Sequence, residues 1–158
     1  LTRVAIALGS NLGDRESLLE FARRHLRSVL SELTASKNYE TVPIGVTGHQ
    51  PMFLNAAVIG FTTLTAPALL AALHAIEREA GRERPYPGAA RTLDLDLIFY
   101  GDQIVDQPGL RVPHAAFRER LFVLEPLCEI APDMRDPESG HTIEELTRLL
   151  RDREAPPR

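Results

Sequence analysis

Leu54-Asn55-Ala56-Ala57-Val58-Ile59-Gly60-Phe61 is apolar at both parities of a strand, with Leu54, Ala56 and Val58 alternating with Ala57, Ile59 and Phe61, and Asn55 alone interrupting it. A strand apolar on both faces belongs inside a sheet that is covered on both sides. Upstream, residues 40–51 carry two prolines and two glycines and read as a long exposed loop. Before that loop, 33–39 is a plausible strand. Leu19, Ala22, Leu26, Val29, Leu30 and Leu33 recur at helical spacing, with Arg23, Arg24, Arg27 and Glu32 on the other side and Asp14 placed to cap the start. The run from Val4 to Leu8 is uniformly apolar and is cut off by Gly9-Ser10-Asn11-Leu12-Gly13-Asp14, which predicts a buried strand entering a turn.

Downstream of the central strand, Thr65 caps a second predicted helix, with Pro67 in its first turn. Leu69, Leu70, Leu73 and Ile76 lie on one face of that helix, and Gly81 is placed to end it. A second loop, 81–90, is dense in Arg, Pro and Gly and leads to a strand over 93–100. Gly101-Asp102 then turns the chain toward a short return strand at Ile104 and Val105. Residues 122–130 look helical despite Pro126. Thr142 and Glu145 have capping-box spacing ahead of Ile143, Leu146, Leu149 and Leu150. The order strand, helix, strand, strand, helix, strand predicts an α+β sandwich of ferredoxin-like type, a central, mainly antiparallel sheet with flanking helices.

A chain of 158 residues, 44% hydrophobic and 25% charged, fits one domain over 1–158 with its last few residues disordered. With 18 basic against 22 acidic residues the net charge is -4, which argues against nucleic-acid or anionic-membrane partners. Cys128 is the single cysteine, so neither a disulfide framework nor a cysteine metal site is expected. No apolar run is long enough for a membrane span, and the N-terminus enters a strand pattern without signal-peptide architecture, so the expected location is the cytoplasm.

The chemistry concentrates in Arg91-Thr92-Leu93-Asp94-Leu95-Asp96-Leu97-Ile98. Two carboxylates two apart on a strand project from one face, their Cα atoms about 7 Å apart, while Leu93, Leu95 and Leu97 anchor the other. Such a pair can coordinate two Mg2+ ions about 3.5–4 Å apart, suited to in-line displacement at phosphorus. The plainer alternative is a solvated strand face. Arg78, Arg82, Arg84 and Arg91 lie just upstream, and guanidinium groups bind phosphate oxygens bidentately, although Glu77, Glu79 and Glu83 could equally pair with them. A Gly-Lys-Ser/Thr phosphate loop is absent from the sequence. His25, His49 and His141 read as surface residues, whereas His114, at a loop start after Val112-Pro113, is open to either a structural or a functional role.

Seven segments in order resemble the 6-hydroxymethyl-7,8-dihydropterin pyrophosphokinase family of folate biosynthesis. They are Ala7-Leu8-Gly9-Ser10-Asn11-Leu12-Gly13-Asp14, Tyr39-Glu40-Thr41, Phe53-Leu54-Asn55-Ala56-Ala57-Val58, Ile76-Glu77, Gly81-Arg82, Arg91-Thr92-Leu93-Asp94-Leu95-Asp96 and Val112-Pro113-His114. The resemblance implies a Mg2+-dependent transfer of pyrophosphate from ATP to the pterin by a monomer, with small molecules as its partners. Asp94 and Asp96 would hold two Mg2+ ions, and Arg82 and Arg91 would steady the transferring group. Glu77, Arg84, Ile98, His114 and Arg120 would contact ATP. Phe53 and Phe122 would stack on the pterin, and Asn55, with backbone groups of Thr41, Val42, Ile44 and Gly45, would read its edge. The loops 40–51 and 81–90 would close over both substrates. Gly88-Ala89-Ala90 stands where many relatives have aromatic-Gly-Pro, and Ala115 where tyrosine is common. Two rival readings remain: a non-catalytic ferredoxin-like small-molecule-binding module, and an RNA-binding domain, which the 6% aromatic content disfavours.

Overall fold

The computed structural model describes residues 1–11, 14–41, 53–82 and 93–155, Arg82 by its backbone alone. The elements run β1 (Thr2–Ser10), α1 (Arg15–Leu26), β2 (Ser31–Ala35), β3 (Tyr39–Thr41), β4 (Phe53–Thr62), α2 (Ala66–Arg82) and β5 (Asp94–Tyr100). They continue through β6 (Val105–Gln107), β7 (Leu110–Val112), a 3-10 turn (Phe117–Glu119), α3 (Leu121–Ile130) and α4 (Ile143–Glu154). The sheet order is β2-β4-β1-β5, with β3 also paired to β4, and every pairing is antiparallel. This is the predicted ferredoxin-like arrangement, with β4 and β1 central. Among the described residues no helix is long and apolar enough to cross a membrane.

Alternation along β1 divides the core. Val4, Ile6 and Leu8 point to one face, where α1 and α2 contribute Leu19, Leu26, Leu69 and Leu73. The smaller Ala5 and Ala7 point to the other, where α3 and α4 contribute Leu124, Leu127, Ile143 and Leu150. Helices therefore cover both faces of the sheet, as the doubly apolar β4 requires. The capping box of α4 forms in full: Glu145 N–H donates to Thr142 Oγ1 at 3.1 Å and Thr142 N–H to Glu145 Oε1 at 3.0 Å. Pro126 sits inside α3 as predicted.

Several local expectations change. The first helix stops at Leu26, and Leu33, which continues its periodicity, belongs to β2. Pairing of Ser31 with Phe61 and Thr34 with Ile59 prevails there, while Leu30 stays in the core from the turn. Arg23, expected on the outer face, is buried and donates to Asn38 Oδ1. His25, expected at the surface, is half-buried with its ring centroid 4.1 Å from that of Phe21. The strand expected over 33–39 is two short strands, separated where Ser36 Oγ accepts from Ala57 N–H at 2.9 Å. Gly81 does not end α2, which continues through Arg82. The return strand pairs with β7 rather than folding back on β5: Gly101, at φ 57, donates to Arg3 O at 2.7 Å and leads the chain off the sheet. The last residues, 156–158, lie outside the described set.

Candidate active site

Register across three strands builds the site. Gly9 of β1 lies opposite Asn55 of β4 on one side and Asp94 of β5 on the other. One row along, Ala7 lies between Ala57 and Asp96. Neighbouring strands are about 4.8 Å apart, so the amide and the carboxylates flank a low floor with no large side chain on it. An ideal Cβ on Gly9 would stand 3.3 Å from Asn55 Nδ2. Thr41 Oγ1 donates to Asn55 Oδ1 at 2.7 Å, which turns the amide nitrogen toward Gly9. Over this floor opens a cleft of about 290 Å³, which Phe53, Asn55, Asp94, Asp96, Arg120 and Phe122 also line. Arg120 lies 5.7 Å from the centre of the Phe122 ring, within cation–π range.

α3, which carries Phe122, is tied to β3 by the Tyr39 hydroxyl donating to Glu129 Oε1 at 2.7 Å. Burial and that bond push the Tyr39 pKa up to about 12. Tyr39 pairs with Asn55 in register, so one contact fixes both an aromatic wall and the amide opposite it.

A second cleft of about 390 Å³ lies along the outer edge of β5, between α2 and the β6–β7 hairpin. Leu70, His74, Gln107, Arg111, His114 and Ala115 line it together with Asp96, which thus borders both clefts. His114 is held by its N–H donating to Ile98 O at 3.1 Å. Its Nδ1 meets the Ala116 N–H at 3.3 Å; a backbone N–H can only donate, so the neutral ring carries its proton on Nε2. Burial lowers the His114 pKa and the Arg120 charge adds to this, against the opposing pull of Asp96. Arg111 is held by both oxygens of Glu138, at 3.1 and 3.0 Å. Glu138 also accepts from Arg118 at 2.9 Å, and Arg118 grips the fully buried Asp136 at 2.6 and 2.9 Å.

The family model for 7,8-dihydro-6-hydroxymethylpterin-pyrophosphokinase (HPPK) matches residues 5–132. The chain belongs to this family. It is similar to the 2-amino-4-hydroxy-6-hydroxymethyldihydropteridine pyrophosphokinase of Pseudomonas aeruginosa, 42% identical over 148 residues, 92% of this chain and 91% of that one. The Bacillus subtilis protein of the same name is 40% identical over 147 residues, covering 91% and 87%. In fold the chain resembles Plasmodium falciparum HPPK-DHPS, with a TM-score of 0.77 at 15% identity. That match covers 96% of this chain and 44% of the other, so the chain spans under half of the HPPK-DHPS length.

Of the residues singled out from the sequence, Phe53, Asn55, Asp94, Asp96, Arg120 and Phe122 meet in the first cleft, and His114 joins Asp96 in the second. Glu77 does not open onto either: it is buried, and its Oε2 accepts the Leu95 N–H at 2.8 Å. The Ile98 side chain is fully buried in the core beside α3, and its carbonyl orients His114. Val42, Ile44, Gly45, Arg84, Arg91 and the Arg82 side chain lie outside the described residues, as do most of the two loops.

Sequence reasoning missed the floor, although the alternation Val4-Ala5-Ile6-Ala7-Leu8-Gly9 signals it, large toward one face and small toward the other. It also missed the second cleft, whose hairpin has short strands and weak periodicity.

Among the described residues no group of three or more His, Cys, Asp or Glu gathers. A carboxylate pair bordering an open cleft still suits Mg2+, which commonly takes one or two protein carboxylates and fills its octahedron with water and substrate phosphate.

Proposed function

We propose that the chain transfers the pyrophosphate of ATP to 6-hydroxymethyl-7,8-dihydropterin, yielding AMP and the pterin diphosphate for folate biosynthesis. The observation that carries this is the position of Asp96 on the wall common to two clefts. A group moving between two bound molecules needs its charged carrier at their junction. The pterin takes the first cleft, against Phe53 and Phe122, with the Asn55 amide at its edge. ATP takes the second, lined by His114, with its phosphates toward Asp96 and Arg120 at the border of the first; Arg82, Arg84 and Arg91 would serve the same phosphates, as the family resemblance implies.

Two Mg2+ ions bound through Asp94 and Asp96 would neutralise charge on the polyphosphate and on the departing AMP. The protein's own work is positioning. The floor of Ala7 and Gly9 lets the hydroxymethyl oxygen approach the β-phosphorus in line, Asn55 fixes the ring's rotation, and Arg82 and Arg91 balance the charge that develops. Few large apolar side chains are exposed among the described residues, Leu1, Ile104 and Leu149, which supports action as a monomer, expected in the cytoplasm.

The test is incubation with ATP, Mg2+ and the hydroxymethyl dihydropterin, followed by nucleotide analysis. AMP in step with pterin consumption is the expected result. ADP would indicate a simple kinase, and no product would leave a binding module.

A further inference from the structure

Glu77 is a carboxylate where carboxylates are costly. It lies on the core side of α2 between Ile76 and Ala80, both buried, and is itself buried. Desolvating such a group is unfavourable unless hydrogen bonds compensate. One of its bonds is to the Leu95 N–H, at 2.8 Å.

Leu95 stands between Asp94 and Asp96 on β5, the last strand on its side of the sheet. On its other edge β5 faces β1, with Gly9 opposite Asp94, Leu8 opposite Leu95 and Ala7 opposite Asp96; because the Leu95 N–H turns outward, the ladder bonds to β1 fall to the residues on either side of it. At Leu95 the outer edge is held by a side chain, anchored on a 17-residue helix whose Leu69, Leu73 and Ile76 are in the core. The strand is thus held by β1 at the two carboxylate positions and by Glu77 at the residue between them.

We propose that Glu77 is a positioning residue, which fixes the spacing and direction of Asp94 and Asp96 through the Leu95 N–H and so sets how strongly divalent metal couples to nucleotide binding. This rests on the reading of Asp94 and Asp96 as the Mg2+ ligands. It replaces the direct nucleotide contact expected for Glu77 from the family resemblance. Groups that orient metal-binding side chains typically change metal affinity about 10- to 100-fold when removed.

The test compares two affinities for an unreactive ATP analogue, one in EDTA and one with saturating Mn2+, their ratio being the metal coupling. For Glu77→Ala the metal-free affinity is expected to hold, while the coupling falls about 10- to 100-fold. Pterin affinity should be unchanged. Glu77→Gln keeps an acceptor oxygen at the same reach and is expected to recover most of the coupling. Glu77→Asp, one methylene short of Leu95, should resemble the alanine variant. If Glu77→Ala fails to fold, the contrast between Gln and Asp carries the test. Equal loss of metal-free and metal-bound affinity would make Glu77 a direct nucleotide contact and overturn the proposal. Unchanged coupling in Glu77→Ala, or equal loss in Gln and Ala, would overturn it as well. Failure of the underlying reading has a separate signature: the parent protein would show no coupling, or Asp96→Ala would couple as the parent does.

Discussion

Replacing Gly9 with alanine puts a methyl group on the floor of the first cleft and leaves the rest of the fold alone. Gly9 lies in a paired strand without a positive φ, so alanine suits its backbone, and the glycine-to-alanine change in a strand favours folding by about 0.5–1 kcal/mol. The new Cβ meets Asn55 Nδ2 at 3.3 Å, closer than the ~3.5–4.0 Å optimum for non-bonded contact. The amide has to give way by a few tenths of an ångström, pulling on the 2.7 Å bond from Thr41. Misdirecting a buried amide that reads a ligand costs about 1–3 kcal/mol, or roughly 5- to 150-fold in affinity. The two effects oppose one another, which makes the experiment decisive. Calorimetry with the pterin should show affinity reduced by about that factor, while the melting temperature stays within about 4 °C of the parent. Unchanged pterin affinity in a folded Gly9→Ala protein would refute the floor, and with it the placement of the pterin.

Asp94→Ala and Asp96→Ala should each lower turnover by orders of magnitude without unfolding the protein, and a cooperative melt together with product analysis checks both. Phe122→Ala should weaken pterin binding far more than ATP binding, as separate titrations with each ligand would reveal; an equal loss of ATP affinity would move Phe122 out of the pterin site. Asp136 titrates below the usual carboxylate range: burial pushes it up, but Arg118, Ser139 and the Glu138 N–H outweigh that. The unfolded chain therefore takes up the proton first, so this contribution to stability is complete above the ordinary aspartate pKa and is lost as pH falls through the depressed folded value. Arg118→Ala should cost about 3 kcal/mol near neutral pH, the lower end for breaking a buried pair from one side, and should flatten the acid limb of the stability–pH curve; a denaturant series from pH 2 to 7 tests both.

The sheet was legible because its signals are strong ones: the doubly apolar Leu54 to Phe61, the uniform Val4 to Leu8, and Asp94-Leu95-Asp96 with leucines at alternate positions. Element ends were harder to read. Leu30 and Leu33 extend a helical spacing that pairing with β4 cuts short, and Gly81 resembles a stop signal although α2 runs one residue further, to Arg82. At the site, residue types announced the carboxylates, while the aromatics and the part given to Asn55 came from the family resemblance. What they could not announce is direction. Glu77 and Ile98 turn inward, and Thr41 acts on Asn55 through its hydroxyl, because burial and register decide those contacts and neither is local in sequence.

The row of Asn55, Gly9 and Asp94 also bears on how the protein comes into being. β1 leaves the ribosome before either of its partners, β4 and β5, which lie far along the chain. It has no neighbour in sequence to pair with, and the entropy of closing two long loops must be met before either edge is satisfied. A nascent chain that stops short of β5 has Gly9 and Asn55 but neither carboxylate, and one that stops at the end of β5 still lacks His114, Arg120 and Phe122. The two clefts are therefore whole only after α3 has docked on the finished sheet, and a part of the chain made late closes what β1 began.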